Sequence, residues 1–191
     1  MLYPITPRAV RYEPYAWMDK VFSDEELRGL QERARRADSS ARVGGANGVD
    51  PNVRRSTVDW VANTPENGWL FAKLSGVAAD LNAQFYGFDL FGFGEALQLT
   101  NYSHEDHGMY GWHQDFSSGV SRKLSLVLQL SDPSEYEGGN LEIMAGSAPL
   151  PVTKQRGLIV AFPSFSLHQV TPVVRGTRQS LVAWASGPAF R

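Results

Sequence analysis

A chain of 191 residues, 42% of them hydrophobic, carries enough apolar material for one domain with a sizeable core. Its net charge of -2 gives no general pull toward nucleic acid or an anionic membrane, and no apolar run approaches the length of a membrane span. With no cysteine, disulfides and thiolate metal sites are excluded, so any metal must be held by histidine and carboxylate. The opening Met1-Leu2-Tyr3-Pro4-Ile5-Thr6-Pro7 lacks the charged start and apolar run of a signal peptide, which makes a cytoplasmic location the expectation. The oligomeric state is left open.

Ser23-Asp24-Glu25-Glu26 reads as a capping box that opens a helix running to Ala37. Arg33, Arg35 and Arg36 gather at its far end, where cations suit the negative pole of the helix dipole. Gly44-Gly45-Ala46-Asn47-Gly48 and Asp50-Pro51-Asn52 mark a loop over residues 41–52 that matches neither a phosphate loop nor a dinucleotide fingerprint. Val53 to Val61 alternates as a strand, with Arg55 and Trp60 as candidate substrate contacts. Thr64-Pro65 predicts an N-cap followed by proline in the first turn. Trp69, Leu70, Leu74, Val77, Ala78 and Leu81 then recur at helical spacing, with Trp69 expected in the core. Phe85 to Phe93 is read as a connection with short strand character.

From residue 96 onward the pattern is that of strands. Ala96 to Tyr102 leads to the polar turn Ser103-His104-Glu105-Asp106-His107-Gly108, whose two histidines are three apart in a loop and are expected in solvent. His113 and Asp115 are two apart, so in extended chain they face the same side and can offer an imidazole and a carboxylate to one ion. Arg122 to Ser131 alternates, with Leu124, Leu126, Leu128 and Leu130 expected under the helices and Ser125, Val127 and Gln129 toward a cavity. Glu137 to Asn140 is a turn before a strand over 141–144, and Gly146 to Pro151 reads as the next connection. Gly157 to Phe162 is a continuous apolar strand, turned by Pro163-Ser164 toward His168, the candidate third ligand. Two histidines and one carboxylate form the facial set that leaves coordination positions open and suits Fe(II). In the last strand Arg178, Ser180, Val182 and Trp184 share a face, and an inward guanidinium calls for an anion such as a dicarboxylate. Short strands at near-regular spacing argue for a jelly-roll or barrel.

Asn101-Tyr102, Gly108 to Asp115, Arg122 to Asp132, Tyr136 to Leu141, Phe162 to Pro172 and Gly176-Thr177-Arg178 stand in an order that resembles the iron and 2-oxoglutarate dependent dioxygenases, in the branch similar to prolyl 4-hydroxylases. The resemblance implies a mainly β domain over 1–191. Its core, over about 95–187, is a double-stranded β-helix of the jelly-roll or cupin-like kind, and a region over about 1–94 with two N-terminal helices supports it. It implies Fe(II) on His113, Asp115 and His168, 2-oxoglutarate paired to Arg178 with Tyr102 beside it, and dioxygen as the other cosubstrate. Ser180, on the face of Arg178, and Gln129, which falls where some relatives place a tyrosine, are assigned to the cosubstrate, and Trp184 to the substrate. The activity implied is hydroxylation of an unactivated C–H bond, most simply in a prolyl or other amino-acid residue of a protein or peptide, with release of succinate and CO2. Related halogenases lack the carboxylate, so Asp115 favours hydroxylation. A free amino acid or small metabolite as substrate, a non-catalytic jelly-roll binding module and a cupin-like zinc enzyme are the alternatives.

Overall fold

In the computed structural model, which describes residues 13–41, 50–115 and 119–189, strand β1 (Ala16–Met18) leads into helix α1 (Asp24–Arg35). The helix starts as its capping box dictates: the Ser23 hydroxyl accepts from the Glu26 amide at 3.2 Å, and the Glu26 carboxylate accepts from the Ser23 amide at 2.7 Å. Leu27, Leu30 and Ala34 are buried along one stripe, while Arg33 reaches out to Asp59 at 2.5 Å. Strand β2 (Ser39–Ser40) follows, and most of the predicted loop, residues 42–49, lies outside the described residues.

The single strand predicted over residues 53–61 is two strands, β3 (Arg54–Arg55) and β4 (Thr57–Val61), which belong to different sheets. After one tight turn at Pro65–Asn67 comes helix α2 (Gly68–Leu81). The Thr64 side chain does not cap it; its hydroxyl instead accepts from Nδ2 of the Asn67 side chain at 3.2 Å. Trp69 is 41% exposed, edge-on to Phe22, because it stands at the margin of the stripe that Leu70, Leu74, Val77 and Leu81 bury. A wide helical turn over Asn82–Tyr86 closes on Gly87, whose φ of 65° favours glycine.

The remaining strands are β5 (Gly92–Phe93), β6 (Leu97–Ser103), β7 (Met109–His113), β8 (Arg122–Gln129), β9 (Tyr136–Gly138), β10 (Leu141–Ala145), β11 (Ala148–Pro151), β12 (Ile159–Pro163), β13 (His168–Val170) and β14 (Val173–Ser186). They form two sheets. The larger runs β1-β12-β8-β14-β6-β4-β2, with β5 and β9 also paired to β14. The smaller runs β11-β10-β13-β7-β3. The segment read as a connection over 146–151 thus contains β11, an edge strand whose residues are all exposed and so carry no alternation to detect. The fold is a mostly β jelly roll with the two helices against one face of the larger sheet.

Strict alternation gives that sheet two different faces. Leu97, Leu99, Leu124, Leu126, Leu128, Leu130, Leu181, Ala183 and Ala185 pack on Leu27, Leu30, Leu70, Leu74 and Leu81 of the helices. Between the sheets, Tyr102, Val127, Leu141, Ile143, Val160, Phe162 and Val170 form a second apolar cluster. The same space opens into a cavity of about 490 Å³.

Candidate metal centre

His113 ends β7 and His168 begins β13, and the two are direct cross-strand partners in the smaller sheet. Their ring centroids are 4.1 Å apart. Asp115 lies just past the end of β7, where its backbone N–H donates to the Ser164 carbonyl at 2.9 Å. His113 Nε2 is 3.8 Å from Asp115 Oδ1, and His168 Nε2 is 3.6 Å from Asp115 Oδ2. Ligand atoms of all three lie within 4.8 Å of one another, and among the described residues this is the group of histidines and acids that could hold an ion.

Hydrogen bonding fixes how these ligands are presented. His113 Nδ1 is 2.8 Å from the Gly111 carbonyl and His168 Nδ1 is 2.9 Å from the Ser166 carbonyl; a carbonyl only accepts, so both Nδ1 atoms carry the proton. In the neutral rings the Nε2 lone pairs therefore point toward Asp115, as metal ligands require. Ser125 donates to Asp115 Oδ2 at 2.6 Å, and Ser164, 3.0 Å from Ser125, must donate to it in turn. Burial, with the charge of His168 second, pushes the His113 pKa down to about 3. For Asp115, burial opposes ionisation, but the charges of His168 and His113, the Ser125 hydrogen bond and the Trp184 indole together hold the carboxyl below its usual range. The Trp184 N–H is directed at this carboxylate and favours the anion, although it is buried without a closed hydrogen bond.

Across the cavity Arg178 is 1% exposed and is one of the largest fully buried side chains. It donates to Ser180 Oγ and to the Gln129 amide oxygen, each at 3.2 Å, and lies 5.5 Å from the Tyr102 ring centroid. All these partners are neutral, and Arg178 Nε has none. Gly139, at φ 58°, gives the side chain room: a Cβ there would come within 3.1 Å of Arg178 Cδ. A buried guanidinium held only by neutral groups fits a bound carboxylate, and two imidazoles with one carboxylate fit Fe(II).

Of the residues singled out by sequence, His113, Asp115, His168, Arg178, Ser180, Tyr102, Trp184 and Trp60 line this one cavity. Gln129 does not line it; its side chain is spent on Arg178 and, at 3.3 Å, on the Thr153 carbonyl. Arg55 points away and donates to the His107 carbonyl, while its neighbour Arg54 enters the cavity. Arg54 shares its parity with Val58 and Trp60, which also line the cavity, so alternation counted back from Trp60 selects Arg54 and not Arg55. His104 and His107 are exposed and outside the cavity. Sequence reasoning also missed Tyr110, stacked on the His113 ring at 3.4 Å, and Gln98 and Arg122 in the wall.

Residues 97–186 match the family model of the 2OG-Fe(II) oxygenase superfamily. A PKHD-type hydroxylase of Synechococcus sp. (strain CC9902) is 43% identical over 77 residues, which is 39% of this chain and 35% of that protein. One from Teredinibacter turnerae is 39% identical over 84 residues, or 40% and 37% of the two chains. The chain spans little more than a third of the length of the curated relatives it matches. Among solved structures, a Pseudomonas putida prolyl-4-hydroxylase superposes with a TM-score of 0.73 at 22% identity, covering 91% of this chain and 92% of that one. A Trichoplax adhaerens prolyl hydroxylase in complex with a hypoxia inducible factor peptide fragment gives 0.73 at 13% identity, with 91% and 83% covered. At these identities the structural likeness is one of fold.

Proposed function

We propose that this chain, a member of the 2OG-Fe(II) oxygenase superfamily, is an Fe(II)- and 2-oxoglutarate-dependent hydroxylase of an amino-acid unit, prolyl or another. The observation that carries the reading is the convergence of His113, Asp115 and His168 on one point, with the buried guanidinium of Arg178 in the same cavity. When bound, iron with 2-oxoglutarate and dioxygen supplies the oxidising chemistry for inserting one oxygen atom into a C–H bond, with release of succinate and CO2.

The protein's part is binding, orientation and exclusion of water. His113 and His168 hold their Nε2 lone pairs inward through the bonds to Gly111 and Ser166. Ser125 and Ser164 fix the Asp115 carboxylate and help keep it ionised. Arg178 receives the far carboxylate of 2-oxoglutarate, with Ser180 and Tyr102 beside it. Val127, Leu141, Val170 and Val182 make the neighbouring wall apolar, so water competes poorly with bound groups. The exposed Trp60 and the buried Trp184, with ring centroids 6.2 Å apart, both line the cavity and suit a ring or aliphatic side chain. The prolyl hydroxylases among the structural neighbours support an amino-acid unit as substrate.

The test is an anaerobic titration with Fe(II) and then 2-oxoglutarate. A weak visible charge-transfer band is expected in the wild-type protein. Its absence would overturn the metal and cosubstrate assignment, and equal 2-oxoglutarate affinity in Arg178→Ala would overturn the anchor. Substrate is sought by mass spectrometry of a peptide and metabolite mixture for products one oxygen heavier.

A further inference from the structure

The charges around the cavity do not balance within the protein. Arg54, Arg122 and Arg178 face it, and Asp115 is the carboxylate in its wall. Arg122 is neutralised from behind: Glu95 accepts from its Nε at 2.6 Å and from a terminal nitrogen at 2.7 Å, while the guanidinium stacks on Trp184 at 3.9 Å. Arg178 is matched by the far carboxylate of the cosubstrate. Arg54 remains. It is 6% exposed, donates from Nε to Ser56 Oγ and from a terminal nitrogen to the Gln98 amide oxygen, both at 2.9 Å, and lies 4.6 Å over the Tyr110 ring. Every one of these contacts is neutral, and no carboxylate among the described residues pairs with it.

The charge of the bound groups does not change this. Two positive charges on Fe(II) and two negative ones on 2-oxoglutarate cancel, and Asp115 and Glu95 answer two of the three guanidiniums, so one positive charge is left over. A desolvated guanidinium is stable when an anion with parallel acceptors meets it. The place of Arg54 sets the size of that anion's carrier. Its guanidinium covers Tyr110, and Tyr110 stacks on His113 at 3.4 Å with 15° between the rings, so one ring separates the charge from a ligand of the metal. A molecule of amino-acid size can hold a carboxylate on Arg54, an apolar portion against Trp60 and Trp184, and a C–H bond toward the triad.

We propose that Arg54 binds a carboxylate of the substrate, so that the enzyme acts on a small carboxylic acid, a free amino acid or the C-terminal residue of a short peptide, and not on a residue inside a chain. This rests on the hydroxylase reading above and adds the substrate's charge to it. Gln98 is the enabling partner: a neutral amide at this position leaves the guanidinium's charge for the ligand.

The test uses protein loaded with Zn(II) and 2-oxoglutarate without oxygen, so that binding is read without turnover. Tryptophan fluorescence follows titration with the free amino acids, their N-acetyl forms, dipeptides, and the amide of each. At least one acid should bind about tenfold or more tightly than its amide, with the preference shrinking as salt is raised. Free and N-acetyl acids binding alone would identify a small metabolite; dipeptides binding more tightly would identify a peptide C-terminus. Arg54→Gln should abolish the preference while 2-oxoglutarate binds as before. Gln98→Glu, which keeps the arginine and gives it an internal carboxylate, should abolish it too. The proposal falls if no acid outbinds its amide, or if the preference survives both substitutions. Failure of 2-oxoglutarate to bind in the same samples would instead count against the hydroxylase reading.

Discussion

The two faces of the larger sheet are made by the same strands and differ in almost every other respect. On the helix side, β8 and β14 present Leu124, Leu126, Leu128, Leu181, Ala183 and Ala185, all buried in one apolar cluster. On the cavity side the same strands present Ser125, Gln129, Arg178, Ser180 and Trp184, equally buried but polar and, at Arg178 and Trp184, with an unpartnered N–H. Burial alone therefore does not separate core from site here. What separates them is whether the buried atoms satisfy one another, as leucines do, or wait for something else, as the guanidinium does. Substitutions on the first face should be felt in stability, and those on the second in binding.

The sharpest break of that comparison is at the triad. His168→Ala should leave a folded protein that forms no measurable succinate, checked by circular dichroism alongside a succinate assay. A paired experiment comes next. Leu126→Ala should lower unfolding free energy by about 2–5 kcal/mol with unchanged 2-oxoglutarate affinity. Arg178→Ala should weaken 2-oxoglutarate binding by about 2–5 kcal/mol, roughly thirtyfold or more, with a smaller effect on unfolding. Urea melts and anaerobic titrations on both variants read the two axes; a reversal of the pattern would mean that the faces do not divide as stated.

Ser125 tests the division from the cavity side of β8, between the core residues Leu124 and Leu126. Its hydroxyl is the short hydrogen bond on Asp115, so Ser125→Ala should lower Fe(II) affinity by about 10–100-fold, measured by competition with a chelator. Acid distinguishes the faces as well. In the metal-free protein His113 resists protonation until pH falls to about 3, whereas in the unfolded chain it takes a proton near pH 6.5. Between those values the unfolded state binds more protons, so stability should fall as pH drops from about 6.5 toward 3. His113→Gln should flatten that part of the slope in urea melts recorded across the range.

Much of this was legible in the sequence because period-two alternation is a direct record of which face is buried. It placed the leucines of β8 against the helices and set Arg178, Ser180, Val182 and Trp184 together. The capping box at Ser23 was equally readable, since both of its hydrogen bonds are local. Alternation has no way to record where a strand changes sheets, as this one does between β3 and β4, although the parity of Trp60 already selects Arg54 and not Arg55 for the cavity face. Nor could it reveal partners brought together by folding. Gln129 reads as a cavity residue yet grips Arg178, and Arg54 comes over the Tyr110 ring because β3 pairs with β7, which sets the two residues opposite each other. The exposed edge strand β11 has no buried face to betray it.

The smallest expected effect concerns the cover on the helix side. α1 lies over the leucine face through Leu27, Leu30 and Ala34, and its first turn is held by the reciprocal Ser23 and Glu26 bonds, with Lys73 of α2 bonded to the same Glu26 carboxylate at 2.7 Å. Lys73, with the bonds to Ser23, holds the Glu26 carboxyl below its usual range, so the junction is intact at neutral pH. Ser23→Ala removes one acceptor from an exposed helix start and should lower unfolding free energy by about 1 kcal/mol. Because nothing on this face reaches the cavity, 2-oxoglutarate and metal affinities should be unchanged in the same variant. A shift in either affinity would mean that the helix layer and the site are coupled through the sheet, and that its two faces are not independent.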